Sequence, residues 1–207
     1  MRSARSTPRP APGWARSTDH YIAAVPPVRF RTATTSDIPA VVEIVQSAYR
    51  GEASRSGWTT EADLIDGQRI DADMLAEVLE RPGSVVLLAE TDRIVGCCEL
   101  SSHDRLPGTA YFGMFAVDPR SQSAGVGRAL MDEAERFAVT AMGAVRMHLV
   151  TIHLRTDMIE MYERRGFTLT GDVHPFPYGD ERYGRPRRDD LQLVELGKGL
   201  RVELVDG

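Results

Sequence analysis

The stretch RSQSAGVGRALM, from Arg120 to Met131, constrains the fold more than any other part of the chain. It follows an apolar run, TAYFGMFAV, which is typical of a buried strand and ends at Asp118-Pro119. It leads into an amphipathic pattern that predicts a helix from about Gly125 to Ala141. A strand joined to a long helix by a glycine-containing loop predicts a domain that combines sheet and helices.

The glycine loop has the chemistry to hold an anion. Backbone amides at the start of a helix have no partner within it, and the helix dipole favours negative charge there. Two known phosphate loops are excluded, because Arg128 stands where a P-loop has Lys and Leu130 stands where a dinucleotide loop has its third Gly. The glycines can therefore serve a phosphate cradle or only ease a tight turn.

Periodicity along the rest of the chain predicts an α/β (α+β) domain with about six or seven strands and about four helices. Further strands are expected at VRFRTAT, SVVLLAE, IVGCCELS, VRMHLVTI, FTLTGDV and LQLVEL, and further helices after Thr35 or Ser36, over Asp71 to Glu80, and at RTDMIEMYERR. Two long polar connections, RGEASRSGWTTEADLIDGQRID and HPFPYGDERYGRPRRDD, interrupt this pattern. Loops of this length within a compact domain are usually functional or disordered.

Composition narrows the classes of function. The 207 residues suit one folded domain, 28–207, after an Arg-, Ser- and Pro-rich segment, 1–27, that is expected to be disordered, with a transit peptide as the alternative. A net charge of −5 disfavours nucleic acid, and no apolar run is long enough to span a membrane. Cys97 and Cys98 are adjacent on a predicted strand and so point to opposite faces, which disfavours a disulfide between them. Two free cysteines suit a reducing cytoplasm. Histidine and cysteine spacing predicts no metal site.

Two elements in the right order resemble the GNAT superfamily of N-acetyltransferases. Gln122-Ser-Ala-Gly125-Val-Gly127 resembles its Q/R-x-x-G-x-G/A motif, and MYERRGF, Met161 to Phe167, resembles a segment that ends the last helix in many members. The resemblance extends from Val28 to about Lys198 and is closest to an uncharacterised bacterial branch. It implies one domain with a mixed central sheet, in which two central parallel strands splay into a V-shaped slot.

The resemblance also implies acetyl-CoA as the acetyl donor. Its pyrophosphate would lie on the loop Gln122, Ser123, Ala124, Gly125, Val126, Gly127 and Arg128, and its pantetheine arm along Phe115, Ala116 and Val117. Arg155 stands where the family often has an Asn that contacts the cofactor. Arg155 could contact a phosphate or the pantetheine arm, or it could simply open the helix.

Catalytic residues are carried over on the same basis. Tyr162 is expected to protonate the CoA thiolate as a general acid, although a Tyr on a short helix often only packs. Tyr111 lies where some members have a Glu base, but a phenol has the wrong pKa for that task. Glu99 and His103 are the other candidates for the base, and a chain of water molecules without a single base is the alternative.

The acceptor is expected to be a primary amine, on a small molecule or on a peptide or protein. Trp58, Tyr111 and Tyr178 are the aromatic residues expected near it, although aromatics in loops also serve ordinary packing. A homodimer is plausible for this fold. The alternative to an enzyme is a domain that binds acyl-CoA as a sensor or scaffold without turnover.

Overall fold

A seven-stranded mixed sheet organises the fold in a computed structural model that describes residues 27–103 and 106–201. The elements in chain order are β1 Arg29–Thr32, α1 Ile38–Tyr49, α2 Gly51–Ser54, β2 Ile65–Asp66, α3 Ala72–Glu80, β3 Ser84–Glu90, β4 Ile94–Ser102, β5 Thr109–Val117, α4 Val126–Met142, β6 Arg146–Ile152, α5 Thr156–Arg164, β7 Thr168–Pro175, β8 Arg185–Pro186 and β9 Gln192–Gly199. The sheet order is β1-β3-β4-β5-β6-β9-β7, and β2 pairs with β8 separately. The expected disordered segment lies outside the described residues, apart from residue 27.

The predicted single-domain α/β architecture is confirmed. The described residues form five α-helices where about four were expected, because the first polar connection contains the short helix α2. Helix α3 begins after Asp71, whose side chain accepts a hydrogen bond from the Met74 amide and caps the helix. Helix α4 begins one residue later than predicted, because Gly125 adopts a left-handed conformation with a φ of 78°.

The two central parallel strands separate after a short paired region. Strands β5 and β6 pair only from Thr109 opposite Arg146 to Tyr111 opposite His148, although both strands continue beyond these pairs. Beyond them, β5 carries an irregularity opposite Cys97 to Glu99 on β4, and Met114 there has a positive φ of 47°. A bulge of this kind bends a strand away from its neighbour. The resulting slot is the splay that the family resemblance implies.

The core lies on both faces of the sheet. Helices α4 and α5 bury residues such as Leu130 and Met158 against one face. Helices α1 and α3 bury residues such as Val45 and Leu75 against the other. Cys97 packs in the α1–α3 layer and Cys98 in the α4–α5 layer, as strand alternation predicts. The slot between β5 and β6 opens between these two layers.

Candidate active site

A cap at Asp118 shapes the glycine loop. The Asp118 carboxylate accepts the Arg120 amide at 2.9 Å and binds the guanidinium groups of Arg93 at 2.5 Å and Arg120 at 2.8 Å. Burial alone would raise the pKa of Asp118, but these donors lower it to about 2. The carboxylate therefore stays charged and fixes the 3-10 turn Pro119–Ala124 that precedes α4.

Gly125 and Gly127 serve the loop for different reasons. At Gly125 the left-handed φ of 78° disfavours any residue with a side chain, while the space where a Cβ would lie is open. At Gly127 an added Cβ would lie 3.3 Å from Cζ of Phe115 and 3.5 Å from Cγ2 of Val117. Gly127 thus lets the start of α4 lie close against β5. The open space beside Gly125 and the first amides of α4 fit a bound phosphate.

The end of β5 offers backbone groups to the slot. The Asp118 amide donates to the Val95 carbonyl on β4, so by strand alternation the backbone groups of Val117 and Phe115 face away from β4. Their carbonyls accept hydrogen bonds from side chains, Phe115 from the Tyr49 hydroxyl at 2.6 Å and Val117 from the Gln122 amide at 3.0 Å. Ala116 lies opposite Cys97 and is fully buried. A carbonyl oxygen has two lone pairs, so both can still accept a donor from a bound arm.

Arg155 holds the Trp58 segment against this site. Its guanidinium donates to the carbonyls of Trp58 at 2.8 Å and Thr59 at 3.0 Å and pairs with Asp157 at 2.9 Å. The Trp58 amide in turn donates to the Gln122 side chain at 2.9 Å. Arg155 therefore both precedes the first residue of helix α5 and fixes a loop that is distant in the sequence.

A cavity of about 520 Å³ occupies the slot between the layers. Its wall includes Tyr162, Glu99 and the β5 residues from Tyr111 to Phe115. Tyr162 reaches it from α5 and Glu99 from β4, on opposite sides of the slot. The structure thus brings together the predicted acid and one predicted base. Trp58 and Tyr178 do not line this cavity.

Tyr162 lies in an environment that suits a proton donor. Burial, reinforced by the nearby phenols Tyr49 and Tyr111, raises its pKa well above the ordinary value. The ring packs edge-on against Phe167 with centroids 5.7 Å apart, which fixes its direction. A phenol held in this way is protonated at neutral pH and can donate to a developing negative charge.

Glu99 is a buried carboxyl group on the other side of the slot. Burial raises its pKa, and Arg81, at 3.3 Å, opposes that shift. Burial also raises the pKa of Tyr111 to about 12, so this phenol remains protonated and does not act as a base near neutral pH. The Tyr111 ring lies over Gly113, where an added Cβ would come within 2.5 Å of it. The His103 ring packs at a tilt against that of His148, with centroids 4.7 Å apart, and is not part of the cavity wall.

Both long loops line the cavity, the first through residues such as Glu61 and the second through residues such as Phe176, but Trp58 and Tyr178 lie outside its wall. Trp58 packs against Phe115, with centroids 6.2 Å apart, and lies next to Gly127 at the glycine-loop end of the slot. Tyr178 is exposed, and its hydroxyl donates to the Arg188 carbonyl and accepts the Leu191 amide, so it stabilises its own loop. The Tyr178 hydroxyl thus both donates and accepts a hydrogen bond within its own loop, and these bonds hold its ring outside the cavity.

Two cavity residues did not emerge from the sequence. Tyr49 lies in the first predicted helix, and Arg69 lies in a polar segment with no recognisable motif. The position of Tyr49 at the last turn of an amphipathic helix was the one available signal. In the structure its hydroxyl contacts β5 directly, and the Arg69 guanidinium lies over its ring at 5.4 Å.

Residues 27–103 and 106–201 contain neither a candidate metal cluster nor a candidate membrane-spanning helix. In these ranges no group of three or more His, Cys, Asp or Glu side chains is arranged to hold a metal ion. No helix in the same ranges combines the length and apolar character needed to cross a bilayer.

Comparison with known proteins identifies the family to which this architecture belongs. The profile described as the acetyltransferase (GNAT) family matches residues 38–167, which include the glycine loop and Tyr162. No curated protein sequence is significantly similar to the chain.

Solved structures share the fold at low sequence identity. The ribosomal-protein-S18-alanine N-acetyltransferase of Escherichia coli is 16% identical with a TM-score of 0.61, over 87% of this chain and 98% of that one. Ard1 from Thermoplasma volcanium is 19% identical with a TM-score of 0.61, over 84% of this chain and 99% of that one. Nourseothricin acetyltransferase is 21% identical with a TM-score of 0.58, over 84% of this chain and 99% of that one. By its match to the family profile and by its fold, the chain belongs to the GNAT family of acetyltransferases.

Proposed function

We propose that the protein is an acetyl-CoA-dependent N-acetyltransferase that acts on a primary amine. The observation that carries the proposal is Tyr162, a buried phenol that faces the cavity where β5 and β6 separate. Bound acetyl-CoA supplies an activated acetyl thioester. In this proposal the amides of Gly125 to Arg128 bind the pyrophosphate, and the backbone of Phe115 and Val117 orients the pantetheine arm.

The residues around the cavity define the proton transfers. The acceptor amine must lose a proton, and the buried Glu99 carboxylate lies in the cavity wall to receive it, directly or through water. Tyr162 holds the proton that the departing thiolate requires. Arg81 beside Glu99 limits how far burial raises the pKa of that carboxyl group.

Direct attack in a ternary complex suits the cavity better than an acetyl-enzyme intermediate. The described residues of its wall include no cysteine or serine. Cys97 and Cys98 are fully buried, and burial raises the pKa of Cys97 to about 12, so neither supplies a thiolate. Two buried reduced cysteines also agree with action in the cytoplasm. The expected homodimer remains a prediction.

The first experiment is release of free CoA thiol from acetyl-CoA with a panel of primary amines. We expect turnover with at least one amine, intersecting initial-velocity lines, and a kcat about 10- to 100-fold lower for Tyr162→Phe. Tight CoA binding without thiol release would favour the sensor or scaffold. Unchanged CoA binding by Gly125→Glu would refute the proposed phosphate cradle, and full activity of Tyr162→Phe would refute the proposed acid.

A further inference from the structure

Arg69 presents a guanidinium group to the cavity. Its backbone amide donates to the Gln46 side chain at 2.6 Å, which anchors the segment before α3 to helix α1. Its guanidinium lies over the Tyr49 ring at 5.4 Å, in the range of a cation–π contact. The aromatic face supports the planar group but leaves its N–H donors available at the edge.

The other arginines of the cavity wall are already neutralised. Arg50 pairs with Glu61 at 2.5 Å, Arg81 with Glu99 at 3.3 Å, Arg155 with Asp157 at 2.9 Å and Arg182 with Asp180 at 3.0 Å. Arg69 has no side-chain hydrogen bond or ion pair to any residue in 27–103 or 106–201. A guanidinium in a cavity normally has an anionic partner, because removing its N–H groups from bulk water without one is costly.

Arg69 is the wall arginine that no ion pair neutralises among the described residues. Five arginines and three glutamates line the cavity, and the four ion pairs leave Arg69 and Glu77 as the charged side chains of the wall that form no ion pair within residues 27–103 and 106–201. Burial is the largest single effect on the pKa of Arg69 and lowers it, but the Glu61 carboxylate and the nearby phenols, Tyr49 foremost, together raise the pKa overall. The guanidinium is therefore charged at every physiological pH, and it can attract an anion into the cavity.

The phosphates of the donor do not account for this charge. None of the glycine-loop residues from Pro119 to Arg128 is part of the cavity wall, whereas Glu99, Tyr162 and Arg69 are. Arg69 thus lies with the reacting groups, at a separate place from the phosphate cradle. A single planar guanidinium matches the two oxygens of one carboxylate in a bidentate pair.

We propose that Arg69 binds a carboxylate of the acceptor, so that the acceptor is an amine that carries a carboxylate, such as an amino acid. The proposal rests on the proposed N-acetyltransferase function and names its substrate class. In this arrangement Arg69 and Tyr49 hold the acid end of the acceptor, and its amine lies toward Glu99 and the slot. Arg69 is a specificity-determining residue, and the proton transfers belong to Glu99 and Tyr162.

The test compares matched pairs of acceptors. Glycine, β-alanine, γ-aminobutyrate and phenylalanine are each assayed against their own carboxamides, with kcat/KM taken from CoA thiol release. We expect at least one carboxylate to exceed its amide by about tenfold or more, as for a charged hydrogen bond. Arg69→Met should bring that ratio to within about twofold of one, and Arg69→Lys should give an intermediate ratio because it keeps the charge but loses the fork.

Arg136→Gln is the control variant. It removes one positive charge from the opposite face of the sheet, on α4, where Arg136 pairs with Glu133. It should leave the ratio unchanged, and circular dichroism of every variant establishes that it is folded. A ratio near one in the wild type, or a preference that survives in Arg69→Met, overturns the proposal.

A binding measurement separates this proposal from the proposed catalysis. Calorimetry with the CoA-saturated protein and the same amino acids tests Arg69 even where no thiol is released. Binding that Arg69→Met abolishes, without turnover, would support the carboxylate site and refute the enzyme. Turnover with amides as good as turnover with acids would support the enzyme and refute the carboxylate site. Absence of both carboxylate binding and carboxylate turnover also refutes the site.

Discussion

The Glu99 carboxylate is a buried charge, and its cost depends on pH. Its folded-state pKa is raised by burial, so above that pKa the folded state holds an ionised group that the unfolded chain solvates better. Its contribution to stability is therefore most favourable in acid, and it declines as the pH rises through the folded-state pKa. An ion pair with Arg81, whose side chain is 53% exposed, offsets part of this cost.

Glu99→Gln should separate stability from activity. At about pH 7 we expect a free energy of unfolding no lower than that of the wild type, because an amide replaces a desolvated charge. The advantage of the variant should shrink toward about pH 4, where the wild-type carboxyl is protonated. Denaturant titrations at both pH values measure this difference, and thiol release should fall. A variant that is less stable at neutral than at acid pH, relative to the wild type, would contradict this reading of Glu99.

At the scale of elements, the two glycines at the start of α4 predict opposite orders of stability for their Ala and Asn variants. At Gly125, Ala should cost about 1–2 kcal/mol of unfolding free energy, and Asn less, because Asn tolerates the left-handed conformation. At Gly127, the higher helix propensity of Ala offsets its close contact with Phe115, whereas the larger Asn must displace that buried ring. The Ala variant should therefore be the more stable of the two at this position. Thermal unfolding of the four variants measures both orders. The same order at both positions would show that one cause acts at both.

The contact between α5 and the Trp58 segment predicts a local optical change. Arg155→Met removes two charged hydrogen bonds to carbonyls, so we expect a loss of about 2–3 kcal/mol and a red shift of Trp58 fluorescence. A Trp14→Phe background leaves Trp58 as the sole tryptophan. The control is Arg164→Met on the same helix, an exposed partner of Glu160 at 3.8 Å, which should change neither quantity. An unshifted Trp58 spectrum in Arg155→Met would contradict the role of Arg155 in holding the Trp58 segment.

Elements with a local signature were predictable, and contacts between distant segments were not. The apolar period and the Asp71 cap locate α3, and the glycine loop with its flanking strand locates α4, since each signal lies within one turn or one strand. The Arg155 contact joins residues 97 positions apart, and the Tyr49 contact spans 66. The placement of Arg69 likewise depends on how the polar segment folds over α1. No periodicity in a single sequence encodes such pairings.

At the scale of the whole molecule, the short β5–β6 pairing divides the sheet. The last pair is Tyr111 opposite His148, so the backbone groups of Phe115 and Val117 face the slot rather than a strand. We expect their amides to exchange with solvent faster than that of Ala116, which faces β4, and to slow when acetyl-CoA binds. Hydrogen exchange followed by NMR measures all three. Equal protection of Ala116 and its neighbours without acetyl-CoA would contradict an open slot.

The two cysteines give the molecule a built-in reporter. Cys97 and Cys98 are fully buried in separate layers of the core, on either face of one central strand. An aromatic disulfide that becomes coloured when it reacts with thiols therefore does not react with the native protein. Colour that comes from the protein itself measures the fraction of molecules in which the sheet has opened. The same reagent measures the CoA thiol that is released within seconds in the activity assay. Without substrate, the slow increase of its colour over hours would measure the rate at which the core opens spontaneously.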